Sequence, residues 1–162
     1  MNKKYILVLL SGLFFSGCIN QTMVKKIEIN ASPELVWKAI AVDLDSWGTW
    51  DPTIDRWTIE SEGVLGVGSL TKYWIGENWA IMRVVEYIPL KKIAYELSET
   101  SWPAENWDKI ISIESKGSKT IVEINLTTSN HKSFINKFAH GGMFKNTLKG
   151  LSDTLNNNPS LT

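Results

Sequence analysis

One cysteine in 162 residues leaves no partner for an intrachain disulfide, so the fold must be held by a packed core alone. Histidine is nearly as scarce. His131 and His140 stand nine residues apart without the spacing of a zinc motif. Both read as solvated helix-end residues, and no metal or cofactor is expected. There is no phosphate-binding glycine loop, no dinucleotide fingerprint and no Gly-x-Ser-x-Gly elbow, which removes nucleotide-dependent and serine-nucleophile chemistry. An excess of one charge is also missing. Seventeen basic residues balance seventeen acidic ones without long blocks of either sign, so no nucleic acid is expected as a partner. Nor is there an uninterrupted apolar run near the roughly 20 residues a spanning helix needs.

The longest apolar run, Tyr5 to Phe15, is about half that length. It follows Lys3-Lys4 and leads into Ser16-Gly17-Cys18, the charged, apolar and small-residue order of an export signal over residues 1–17. A lone cysteine directly after such a signal resembles the lipobox of prokaryotic lipoproteins, which implies acylation of the Cys18 thiol. Phe15 departs from the Leu usual three positions before that cysteine, and an ordinary signal or an uncleaved anchor is the other reading. Each places the remaining chain outside the cytoplasm, and the lipoprotein reading anchors it to the outer face of a cell membrane or to a bacterial outer membrane. Residues 18–23 then form a tether, and its five residues after Cys18 reach no more than roughly 18 Å when extended.

Residues 24–156 read as one α+β domain, and 157–162 as a polar tail. Ile27 and Ile29 alternate with Lys26 and Glu28 as a first strand. Ser32 is a good N-cap, Pro33 suits the first helical position, and Leu35, Val36 and Ile40 form an apolar stripe. A second short helix over 43–50 must end before Asp51-Pro52, because a residue preceding proline avoids the helical region. Strands follow at about 54–60, 69–75, 79–88, 91–99, 108–116 and 119–128, separated by glycine and proline turns. Thr120, Val122, Ile124 and Leu126 against Ile121, Glu123, Asn125 and Thr127 call for an antiparallel sheet with one buried face. Phe134, Phe138, Phe144, Leu148, Leu151 and Leu155 then recur at helical spacing over about 132–156. Gly141-Gly142 costs that helix roughly 2 kcal/mol and predicts a kink or break.

Four stretches in this order carry a family resemblance: Ile27-Glu-Ile-Asn-Ala-Ser-Pro-Glu-Leu-Val-Trp37, Trp47-Gly-Thr-Trp-Asp-Pro52, Val67-Gly-Ser69 and Val84-Val-Glu-Tyr-Ile-Pro89. Together they resemble the polyketide cyclase/dehydrase and lipid-transport group of the START-like (SRPBCC) superfamily. The resemblance implies a helix-grip fold, in which a curved antiparallel sheet of about seven strands wraps a long C-terminal helix and two short helices follow strand 1. Members bind lipids, sterols, hormones and polyketides, some catalyse cyclisation or dehydration, and others partner chaperones. Fold alone therefore does not select an activity.

Eight tryptophans, all between positions 37 and 107, are the chain's compositional signature. They either fill the core and the helix–sheet seams or line a pocket. Trp50, Tyr73, Trp74, Trp79, Trp102 and Trp107 are the candidate lining. The Trp102–Trp107 loop reads as a lid, as a bilayer-interface contact or as packing on the sheet edge. Arg83 shares a strand face with Ile81, Val85 and Tyr87, and Glu96 lies between Tyr95 and Leu97. These two are the polar candidates for the cavity, though alternation leaves open whether their face looks inward, and charged residues are rarely buried unpaired. No catalytic residue is assigned. The leading expectation is a membrane-tethered protein holding a hydrophobic small molecule or lipid. A cyclase- or dehydratase-like enzyme with acid/base groups in the same cavity and a protein-interaction module are the alternatives.

Overall fold

The computed structural model describes residues 21–102, 106–128 and 133–157, with the side chains of 133–141 outside that description. Residues 1–20, which hold the expected signal and Cys18, lie outside it together with His131 and residues 158–162, as do the side chains of Phe134, Phe138 and His140.

Strand β1 (Gln21–Ile29) leads into α1 (Pro33–Trp37). Ser32 caps that helix from an extended backbone, its Oγ accepting the Leu35 N–H at 3.4 Å, and the helix buries Val36 and Trp37. The chain then winds through a wider turn over Lys38–Val42, closed by Asp43 N donating to Lys38 O at 2.8 Å. A tight turn at Leu44–Ser46 precedes α2 (Trp47–Trp50). Asp51 ends α2 in an extended conformation, as a residue before proline must.

The other strands are β2 (Arg56–Ile59), β3 (Leu70–Ile75), β4 (Asn78–Ile88), β5 (Lys92–Thr100), β6 (Trp107–Lys116) and β7 (Lys119–Thr128), and α3 (Ser133–Asn157) follows them. All seven strands form one sheet in the order β1-β7-β6-β5-β4-β3-β2, antiparallel at every pairing. This is the expected helix-grip arrangement. Alternation sends Val122, Ile124 and Leu126 of β7, and Trp107, Ile111 and Ile113 of β6, into the core. From α3, Phe144, Leu148, Leu151 and Leu155 enter the same core.

Two details correct the sequence reading. Helix α3 runs unbroken through Gly141-Gly142. Glycine lowers helix propensity without removing a backbone donor, so packing of the long helix can carry the cost. In β4, the extra residue Val85 at the Val84/Glu86 irregularity shifts the alternation. Met82 and Val84 face inward, and beyond that shift Tyr87 packs edge-on against buried Trp37 at 5.4 Å. Tyr87 therefore does not share a face with Arg83.

The pairings also place seven chain segments at one end of the sheet: the start of β1, the ends of β7, β5 and β3, and the starts of β6, β4 and β2. The candidate site lies at this end. Among the described residues no helix is long and apolar enough to cross a membrane.

Candidate functional site

A file of aromatic rings runs from the short helices across the inner face of the sheet. Trp50 stacks at a tilt on Trp47, and Trp47 on Trp57, each at 4.3 Å between centroids. Trp57 meets Tyr73 at 5.4 Å and Tyr95 at 5.5 Å. Tyr73 then meets Trp107 at 6.1 Å and Trp102 at 6.2 Å. The indole N–H groups of the helical pair are used locally, Trp47 donating to Ile40 O and Trp50 to Ser46 Oγ. These distances suit tilted and edge packing, so the rings form a rigid wall.

Beside this wall lies a cavity of about 230 Å³. Tyr73, Ile75, Trp102 and Trp107 close it on the strand-end side, Ile124 and Leu126 of β7 form its floor, and Met143 and Phe144 of α3 its roof. Trp47 and Ile54 complete the apolar lining. A single water needs only about 10–15 Å³ of such space, so the hollow is of small-molecule size.

One stretch of wall is polar. Asp51 and Lys109, both buried, face the cavity together with Thr53 and Thr147. Asp51 Oδ1 accepts from Thr53 N at 2.9 Å and from Thr53 Oγ1 at 2.6 Å, the local turn expected after a helix end. Its Oδ2 accepts from Thr147 Oγ1 at 2.6 Å and so ties the end of α2 to α3. Thr147→Val should strip that oxygen of its donor and lower stability by about 1–3 kcal/mol, read as a fall in urea midpoint at unchanged slope. An unmoved midpoint would show that the tie contributes nothing.

Lys109 occupies an inward position of β6, between Trp107 and Ile111 on the buried face. Its ammonium lies 4.1 Å from the Trp57 ring centroid, 5.3 Å from Trp47, 5.4 Å from Tyr95 and 5.6 Å from Tyr73. Burial pulls its pKa down from 10.5 to about 7, while the charge of Asp51 acts in the opposite direction. The ring faces also favour the cation. No carboxylate approaches Nζ within ion-pair distance among the described residues.

Of the residues singled out from the sequence, Tyr73, Trp102 and Trp107 come together on the cavity wall. Trp50 is buried one ring behind it, against Trp47. Trp74 and Trp79 do not reach the cavity. They pair across the β3–β4 hairpin on the outer face, where Arg56 covers Trp74 at 3.9 Å and Lys72 covers Trp79 at 4.3 Å. Tyr73 already points inward, and a strand cannot send adjacent side chains to the same face. Arg83 and Glu96 are likewise corrected, because they stand opposite each other on β4 and β5 and both are exposed. The interior of the Trp102–Trp107 loop, residues 103–105, lies outside the described residues. Lys109, Asp51, Thr147 and Trp47 were missed. Lys109 carried a readable signal, a charge in phase with Trp107, Ile111 and Ile113. Among the described residues no group of His, Cys, Asp and Glu could hold a metal ion.

Similar architecture recurs in solved structures at low sequence identity. A START superfamily protein from Mycobacterium smegmatis superposes with a TM-score of 0.72 at 17% identity, covering 84% of this chain and 97% of that one. Major latex-like protein 151 from Panax ginseng gives 0.71 at 10% identity, over 83% and 96% of the two chains. A protein from Nitrosospira multiformis gives 0.68 at 17% identity, over 83% and 95%. No curated protein matches the sequence. The family model for polyketide cyclase/dehydrase and lipid transport proteins matches residues 20–158, nearly the whole domain around this cavity, and the chain belongs to that family.

Proposed function

We propose that this chain is a membrane-tethered binding protein that holds an apolar small molecule or lipid in the cavity between the sheet and α3. The observation that carries this reading is the mainly aromatic and aliphatic hollow between sheet and helix, the usual build of a small-molecule site. The membrane part of the reading rests on the charged, apolar and small-residue order that leads into Cys18. A lipid on Cys18 would be three residues from the start of β1, at most about 11 Å of extended chain. β1 starts at the sheet end that also carries Ile75, Trp102 and Trp107, so the cavity would lie close to the bilayer. Cys18→Ala should then move the protein from the membrane fraction to the soluble fraction. Its retention on membranes would remove the lipid anchor from the account.

The binding test is titration with an apolar fluorescent probe. Trp107→Ala deletes a large part of the wall and should weaken binding by about 1.5–3 kcal/mol, roughly 10- to 100-fold in Kd. Equal affinity in the variant would place the probe elsewhere. Acid/base turnover in the same cavity is a second reading, favoured by Lys109 beside Asp51. Its signature would be a bound molecule released with altered mass.

A further inference from the structure

We propose that the molecule held in this cavity is an apolar monocarboxylate, with its head on Lys109 and its body along Tyr73, Trp107 and Phe144. This deepens the binding reading given above and rests on it. The ammonium of Lys109 has three N–H donors, and no hydrogen bond or ion pair engages them among the described residues. Four ring faces hold the cation in place but offer it no acceptor. Trp57 Nε1 and the Tyr95 hydroxyl are also buried without a partner among the described residues, but neither side chain lines the cavity, so Lys109 is the donor a bound molecule meets. A buried ammonium with unengaged donors on a cavity wall calls for an acceptor that brings its own negative charge.

Asp51 does not fill that role, since both its oxygens are engaged by Thr53 and Thr147. Its presence on the same wall instead restricts the head group. A dianionic phosphate would be repelled by the Asp51 carboxylate, whereas one carboxylate neutralises one ammonium. A neutral carbonyl would accept a hydrogen bond and leave the charge uncompensated. A hollow of about 230 Å³ suits a body that is a short chain or a compact ring system.

Titration adds a sign. The titratable groups facing Lys109 are Asp51 after α2, Tyr73 on β3 and Tyr95 on β5; β2, β7 and α3 present only neutral side chains to it among the described residues. A carboxylate stays ionised from pH 6 upward and binds the ammonium form. Affinity should therefore be highest below about pH 7 and fall toward tenfold per unit above it, and by linkage the bound acid raises the Lys109 pKa.

The test is calorimetric titration of the full chain with octanoate and with 1-octanol at pH 6 and pH 9. The expected result is octanoate bound at least tenfold more tightly than 1-octanol at pH 6, with the preference largely gone at pH 9. Lys109→Met should keep or improve 1-octanol binding, which shows that it is folded, and lose the octanoate preference at both pH values. Equal binding of the two probes at pH 6, or a preference that survives in Lys109→Met, would overturn the carboxylate assignment while leaving the apolar cavity standing. If neither probe binds at either pH, the binding reading itself falls and this inference falls with it.

Discussion

Gly150→Ala should destabilise the protein by a net of about 2 kcal/mol, although alanine is the better helix former. A β-carbon at position 150 would run into the carbonyl oxygen of Trp50, with the Trp50 carbonyl carbon at 3.0 Å and Pro52 Cδ at 3.5 Å. The obstruction is backbone on the far side of α2, held by the Trp47–Trp50 stack and by the Asp51–Thr147 tie. Relief requires α3 to move away from α2, and overpacking of this kind commonly costs about 1–3 kcal/mol and occasionally more. The intrinsic gain of roughly 1 kcal/mol from removing a helical glycine is smaller than that. Gly142, on the same helix, is the internal control. Among the described residues nothing lies within 4 Å of its would-be β-carbon, so Gly142→Ala should raise stability by up to about 1 kcal/mol. Thermal melts of the two variants should move in opposite directions. Two stabilised variants would mean that α2 and α3 are not in close contact.

Lys109→Met should make the ligand-free protein more stable, and by an amount that depends on pH. The folded-state pKa of Lys109 is depressed to about 7 from an ordinary 10.5, chiefly by burial. Between those values the unfolded chain binds a proton that the folded chain does not. Stability of the native protein therefore falls as pH drops from about 10.5 to 7, by up to roughly 1.4 kcal/mol per unit from this one group, and is flat with respect to it below 7. Methionine has no such penalty and fills a similar volume among the rings. The gain should be on the order of 2 kcal/mol at pH 6, reduced from a larger value by the lost cation–ring attraction, and should shrink toward zero near pH 10. Urea denaturation at pH 6, 8 and 10 measures it. A variant less stable than the native chain at pH 6 would show that the cage stabilises the ammonium by more than burial destabilises it. A costly charge retained in a cavity wall is the mark of a site shaped by binding.

The strands were legible because their alternation is regular: Val122, Ile124 and Leu126 on β7 could face only one way, and the β3–β4 and β6–β7 turns are marked by Gly76 and Gly117. The cap at Ser32 and the stop at Asp51-Pro52 were legible for equally local reasons. What the sequence hid depended on register and on distant partners. Arg83 looked like a polar group inside an apolar strand, yet only the core packed on the Met82 and Val84 face settles that these two point inward and Arg83 does not. Trp74 and Trp79 drew attention as aromatics, but Arg56 and Lys72, which cover them on the outside, come from β2 and from the next position of β3's outer face. Asp51 read as a helix terminator, and its bond to Thr147 spans 96 positions in sequence. Gly150 gave no sign of its role, since a lone glycine in a polar helix segment looks like a weak point and not a contact.

Native mass spectrometry of the protein purified from its own host shows whether the cavity between the sheet and α3 carries an apolar ligand. The expected result is a stoichiometric mass increment of one small organic acid, recovered by solvent extraction and absent from Lys109→Met and Trp107→Ala. Protein that is uniformly free of any increment, and whose tryptophan emission no apolar compound alters, would contradict the binding reading.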